Sequence, residues 1–123
     1  MPCPTSLEIQ MRKTLALLAG VAALALTSTS GWAADSAAAL ELAKKSGCLA
    51  CHSVEKKVVG PAWKEVSEKY KGNTEMKAKL IAKVKAGGKG VWGEVPMPPY
   101  SPRVADADIE TLVTFVLSIA DQK

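Results

Sequence analysis

Gly47-Cys48-Leu49-Ala50-Cys51-His52 is the stretch whose reading decides the fold. It spells C-x-x-C-H, the spacing at which a c-type haem is attached. Two thiols three positions apart can add to the two vinyl groups of one haem. A histidine directly after the second thiol lies under the ring and can bind the iron. So short a motif also occurs by chance. It gains weight from three other features: a second iron ligand, a mostly helical wrap and an export route.

The export route stands at the N-terminus. Arg12-Lys13 precede an apolar run from Thr14 to Leu26, and small and polar residues follow to Ala33. A charged start, an apolar middle and a small-residue exit are the three parts of a secretory signal peptide. The run is shorter than the roughly 20 residues a membrane span needs. Cleavage after Ala33 puts Gly31 and Ala33 at the small-residue positions. Residues 1–33 therefore read as a signal peptide, with 1–10 an upstream extension that a start at Met11 would remove. Residues 34–123 form the expected domain, with no stable membrane span of its own. Fourteen basic against eleven acidic side chains remain there, a mild net charge of +3. That balance suits a basic face and gives no case for nucleic acid. Cys3 leaves with the leader, so Cys48 and Cys51 are the thiols that stay. A local disulfide would use both, but only haem attachment also uses His52.

Downstream, helical patterns dominate and no stretch alternates with period two. A first helix is expected over about 36–46, capped by Asp35 or Ser36 and ended by Gly47, with Glu41 and Lys45 paired. Pro61 fits the first turn of a second helix reaching about Lys71. Trp63, Val66 and Tyr70 share its inner face, and Glu65 and Lys69 pair outside. Asn73 or Thr74 would cap a third helix to about Ala86, with Met76, Leu80, Ile81 and Val84 inward. A last helix starts near Asp106 and buries Ile109, Leu112, Val113, Val116 and Leu117. Between the last two, residues 87–103 read as a Gly/Pro-rich loop, long enough to suggest a function. Ninety residues with five aromatics make a thin core, which a large apolar cofactor would complete.

His52 is the sole histidine of the chain. Iron held by His on one side is left open for ligands or closed by a Met thioether, which raises the potential and favours electron transfer. Met76 sits at core spacing in a helix and reads as a gap-filling apolar residue. Met97 lies in Val95-Pro96-Met97-Pro98-Pro99, where prolines stiffen the backbone and hold one side chain in place. His52 and Met97 are therefore the expected metal ligands.

Taken in order, Cys48 to His52, Val59-Gly60-Pro61, Gly90-Val91-Trp92-Gly93, Pro96-Met97-Pro98-Pro99 and a terminal helix resemble the small bacterial class I cytochromes c of the cytochrome c-551 type. The resemblance implies an all-α fold of about four helices around one covalently bound haem c, with the first and last helices packed together. It also implies that the Pro61 carbonyl holds His52 through its free ring N–H, which sets the tautomer. Trp92 would donate its indole N–H toward a haem propionate, and Lys83 stands where a basic propionate partner is often found. Relatives often carry Asn where Tyr100 stands here. The function implied is a periplasmic carrier, a monomer passing single electrons between protein donors and acceptors. A terminal oxidase, a nitrite reductase or a quinol-oxidising complex would be such partners. The rival readings are a haem enzyme or ligand sensor with an open iron, and a cytochrome subunit of a larger oxidoreductase.

Other motifs fail on context. Gly88 to Gly93 matches G-x-G-x-x-G but follows a helix with no βαβ unit around it. A structural zinc site needs four Cys/His ligands, and residues 34–123 offer three. A thioredoxin-like site needs C-x-x-C beside a βαβ pattern, which is absent. Lys45, Lys56, Lys57, Lys89 and Arg103 flank the ligand-bearing segments and are expected to steer acidic redox partners.

Overall fold

A computed structural model describes residues 31–122. Residues 1–30, most of the expected leader, lie outside the described residues, whereas the expected cleavage point after Ala33 lies among the described ones. Helix α1 spans Gly31–Lys45, α2 Trp63–Tyr70, α3 Met76–Ala86 and α4 Asp106–Ser118. Short 3₁₀ turns occupy Cys48–Ala50 and Ile119–Asp121. The architecture is all-α, with helices packed around a shared core, as the periodicity requires.

Helix α1 starts five residues before the expected boundary. Its alanine-rich start favours helix and carries the coil through the positions expected to cap it. Ala39 and Ala43, one turn apart, turn inward and are buried. Ala43 joins Cys48, Trp63, Tyr100, Val104, Ile109, Leu112 and Val113 in the core. Ser36 reaches across to Gln122 near the C-terminus, with 3.4 Å between the side-chain oxygens. Helix α4 is the hub, with both α2 and α3 packed on it. Its Ile109 is fully buried, and Leu112 and Val113 nearly so. Ala105 stands at its N-cap and makes no side-chain cap bond, as its chemistry dictates.

Three expectations need correction. Pro61 is not in the first turn of α2, since the N-cap is Ala62 and the helix begins at Trp63. The reason is that the Pro61 carbonyl is turned toward His52 instead of into the helix. The pairs Glu41–Lys45 and Glu65–Lys69 are not among the ion pairs of the described residues. Two of those present, Lys77 to Glu110 at 2.9 Å and Lys85 to Asp106 at 2.7 Å, join α3 to α4. Exposed pairs of this kind stabilise little individually.

The third correction is the loop. Gly88–Gly90 (β1) and Gly93–Met97 (β2) form an antiparallel ribbon, pairing Gly88 with Met97 and Gly90 with Gly93 across a bulge. Gly88, Gly90 and Gly93 take φ of 117°, 117° and 121°, angles that side-chain-bearing residues rarely adopt. Both strands are exposed, so no alternating apolar pattern marked them in the sequence.

Ser67 carries no motif in the sequence. It is fully buried on α2, donates to the Leu117 carbonyl at 2.8 Å and accepts the Ala120 N–H at 2.8 Å. It thus satisfies the orphan groups where α4 ends. Ser67→Ala is expected to lower stability by about 1–3 kcal/mol, since it leaves buried backbone groups unpaired. Urea unfolding should show a lower midpoint at unchanged slope. An unmoved midpoint would mean that this bridge contributes nothing.

Candidate haem site

Gly47, at φ 80°, ends α1 and turns the chain into the Cys48–Ala50 turn. There Cys48 is buried and Cys51 half-buried, and both are free thiols. The His52 N–H donates to the Cys48 carbonyl at 3.0 Å, which fixes the histidine one turn beyond the first thiol. The Cys51 carbonyl then accepts N–H bonds from Val59 at 3.2 Å and Gly60 at 2.8 Å. These two bonds fold residues 53–60 back beneath the imidazole.

The fold-back explains Gly60. A methyl group there would lie 2.4 Å from His52 Cε1 and 2.9 Å from Nδ1, so the ring rests on bare backbone. On the same side, His52 Nδ1 lies 2.9 Å from the Pro61 carbonyl oxygen. A carbonyl only accepts, so the proton is on Nδ1 and Nε2 keeps its lone pair. Trp63 stacks on the imidazole with centroids 5.9 Å apart and planes at 27°. Phe115 of α4 meets Trp63 edge-on at 6.1 Å. The imidazole is therefore oriented from three directions.

Beside it opens a cavity of about 310 Å³. Cys48, Cys51 and His52 line one part, Leu80 and Val84 of α3 and Val113 of α4 another, and the ribbon with Trp92 and Met97 a third. Leu80 and Val84 remain half-buried although their spacing marked them as core, because the cavity lies against them. Met97 ends β2, half-buried, with its thioether on the stretch that lines the cavity. Gly87 allows its approach, since a methyl group there would stand 2.5 Å from the Met97 carbonyl oxygen. The sequence-predicted residues Cys48, Cys51, His52, Pro61, Lys83, Trp92 and Met97 thus all border one cavity.

The electrostatics are those of a buried thiol wall. Burial pushes the Cys48 thiol above its ordinary range, against smaller lowering influences from its backbone hydrogen bond and from Arg103. Lys83 Nζ approaches the Lys89 carbonyl at 3.5 Å, which leaves most of its hydrogen-bonding capacity free. Trp92 is held by neighbours that the sequence did not suggest. Tyr70 meets it edge-on at 6.2 Å, and the Lys69 ammonium lies 5.0 Å from its ring centroid. Among the predicted steering cations, Lys57 borders the cavity, Lys89 is paired with Glu94 at 2.7 Å, and Arg103 covers the Tyr100 ring at 4.5 Å.

Two thiols, one imidazole and one thioether line one apolar cavity and could hold a haem. The soft sulfur and imidazole donors suit iron, and the apolar walls suit a macrocycle.

Known proteins agree with that chemistry. The sequence matches the Cytochrome c family over residues 36–120. It is 55% identical over 80 residues to cytochrome c-551 of Allochromatium vinosum, covering 65% of this chain and 84% of that one. It is 42% identical over 106 residues to cytochrome c-551 of Pseudomonas aeruginosa, covering 86% and 97%. The fold is similar to the crystal structure of Nitrosomonas europaea cytochrome c552, with TM-score 0.62 and 46% identity over 65% of this chain and 98% of that one. It is also similar to the class 1 cytochrome MtoD of Sideroxydans lithotrophicus ES-1, with TM-score 0.60 and 33% identity over 68% and 95%. The chain belongs to the cytochrome c family, as a small class I bacterial cytochrome c of the c-551/c-552 type. Proteins of this class carry electrons between redox partners and turn over no substrate. Membership implies one haem c held covalently through the two cysteines.

Proposed function

We propose that residues 34–123 are a periplasmic monohaem electron carrier, released from a signal peptide at residues 1–33. Cys48 and Cys51 would tether the haem as thioethers, and His52 Nε2 and the Met97 sulfur would hold its iron. The observation that carries this reading is the His52–Pro61 bond, which occupies Nδ1 and leaves Nε2 as the nitrogen with a lone pair, on a histidine lining the cavity that Met97 also lines. When bound, the haem iron would supply a one-electron redox centre, and a Met97 thioether ligand would favour a high potential. The chain does the remaining work. Pro61 fixes the imidazole tautomer, Gly60 and Trp63 seat the ring, and the ribbon brings Met97 and excludes water. Trp92 and Lys83 are proposed to bind the propionates, a role that an indole N–H and an ammonium group can fill.

Electrons pass through the exposed edge of the site in brief, small-interface complexes. The rim supplies a suitable face, since Val58, Val59, Val91 and Val95 are each about half exposed or more. Lys57 stands beside them, and acidic donors and acceptors such as an oxidase, a nitrite reductase or a quinol-oxidising complex fit that combination. Stopped-flow electron transfer to an acidic partner is expected to slow about tenfold between low and physiological ionic strength, as screening removes steering. A salt-independent rate would remove the lysines from the account. A redox titration of protein isolated with its haem tests the function itself. One reversible one-electron wave per chain is expected, and a chain lacking it would not be a carrier.

A further inference from the structure

The wall of the cavity that follows Met97 holds a side chain with no part in the scheme above. Tyr100 is buried, 6% exposed, and borders the cavity three residues after Met97. Its backbone is anchored on both sides. The Tyr100 N–H donates to the Val84 carbonyl at 3.1 Å, and its own carbonyl accepts the Val104 N–H at 2.8 Å. Burial pushes the phenol above its ordinary range, and the nearby Cys48 thiol pushes it further. Tyr100 packs in the same buried cluster as Cys48 and lines the same cavity, and the Arg103 guanidinium covers its ring face at 4.5 Å from the centroid. Arg103 is in no ion pair among the described residues, so this aromatic face is the partner that orients it.

We propose that Tyr100, clamped by Arg103, is a strut that holds the Met97 loop against the cysteine side of the cavity, and that Arg103 is a positioning residue for Met97. The inference rests on Met97 being an axial ligand. Its physical basis is simple. A loop residue that must stay on iron through a weak bond needs a rigid neighbour, and a cation over an aromatic face supplies one at little cost in entropy. Arg103 does this better than lysine would, because its planar guanidinium stacks on the ring.

Cyanide displacement of the sixth ligand, in oxidised protein with its haem attached, reads the strut directly. Arg103→Gln is expected to raise the cyanide association rate about fivefold, in keeping with one lost cation–aromatic contact. Arg103→Lys should restore part of that change. Tyr100→Leu should raise the rate about tenfold or more, whereas Tyr100→Phe, which keeps the ring, should stay within twofold of the parent. The far-red Met–iron band of each variant shows whether Met97 is bound before cyanide is added. A parent protein that lacks the band would defeat the ligation reading itself. A parent with the band, whose Arg103→Gln and Tyr100→Leu variants take up cyanide at the parental rate, would overturn the strut alone. Thermal midpoints of the same variants separate the two roles, since a merely structural contact would lower the midpoint without changing cyanide uptake.

Discussion

Met97→Ala is expected to open the iron on one side and to lower the midpoint potential by a few tenths of a volt. Axial ligands and their surroundings span roughly 0.8 V in haem proteins, so exchanging one of them is a large perturbation. The thioether favours reduced iron because it is soft and neutral, whereas the water that would replace it favours oxidised iron. The oxidised variant should become high-spin and bind cyanide readily. Its fold should survive, because Met97 is only half-buried at the end of β2 and the core cluster lies around α4. The contrast with Met76→Ala is the control. Met76 starts α3 and lies outside the cavity lining, so its loss should leave the potential and spectrum unchanged. If Met97→Ala kept the parental potential while Met76→Ala lost it, the ligand assignment would be reversed.

Gly60→Ala carries the second large effect, although it adds only a methyl group. That group would lie 2.4 Å from His52 Cε1, with both ring nitrogens within 3.0 Å. The imidazole cannot retreat, because Pro61 holds Nδ1 and Trp63 lies over its face. Overpacking of this kind costs about 1–3 kcal/mol, and here the strain falls on the proposed proximal ligand. The Nδ1–H bond to Pro61 should lengthen or break, visible as a shift of the ring N–H resonance in the reduced protein. Gly72→Ala is the matching control. It has open space around it and a φ of 76°, so it should cost stability through backbone strain and leave the His52 signal in place.

Much of the lining of this cavity was legible in the sequence because it rests on local signals. Cys48, Cys51 and His52 declare themselves by spacing, and Met97 by the prolines that flank it. The helices were legible through period, and α4 begins where Asp106 led one to expect. What was hidden depends on residues far apart in the chain. Gly60 looks like an ordinary turn glycine until His52 is placed above it. Ser67 looks like a surface serine until the end of α4 comes down on it, 50 residues later. Lys69 reads as half of an i,i+4 pair with Glu65, yet Trp92 offers its ring face and takes it. The ribbon at 88–97 escaped notice because its strands bury neither face and leave no apolar alternation to read. Pro61 was misplaced by two residues for a related reason. Its carbonyl serves His52, and no local rule for helix starts includes a partner nine residues upstream.

The account stands on His52 and Met97 closing the iron from both sides, and the far-red absorption spectrum of the oxidised protein tests that most directly. A weak Met–iron charge-transfer band in low-spin protein, lost in Met97→Ala and kept in Met76→Ala, is the predicted result. A high-spin spectrum in the parent protein that shifts at once with cyanide would contradict it and leave an open iron in place of a sealed carrier.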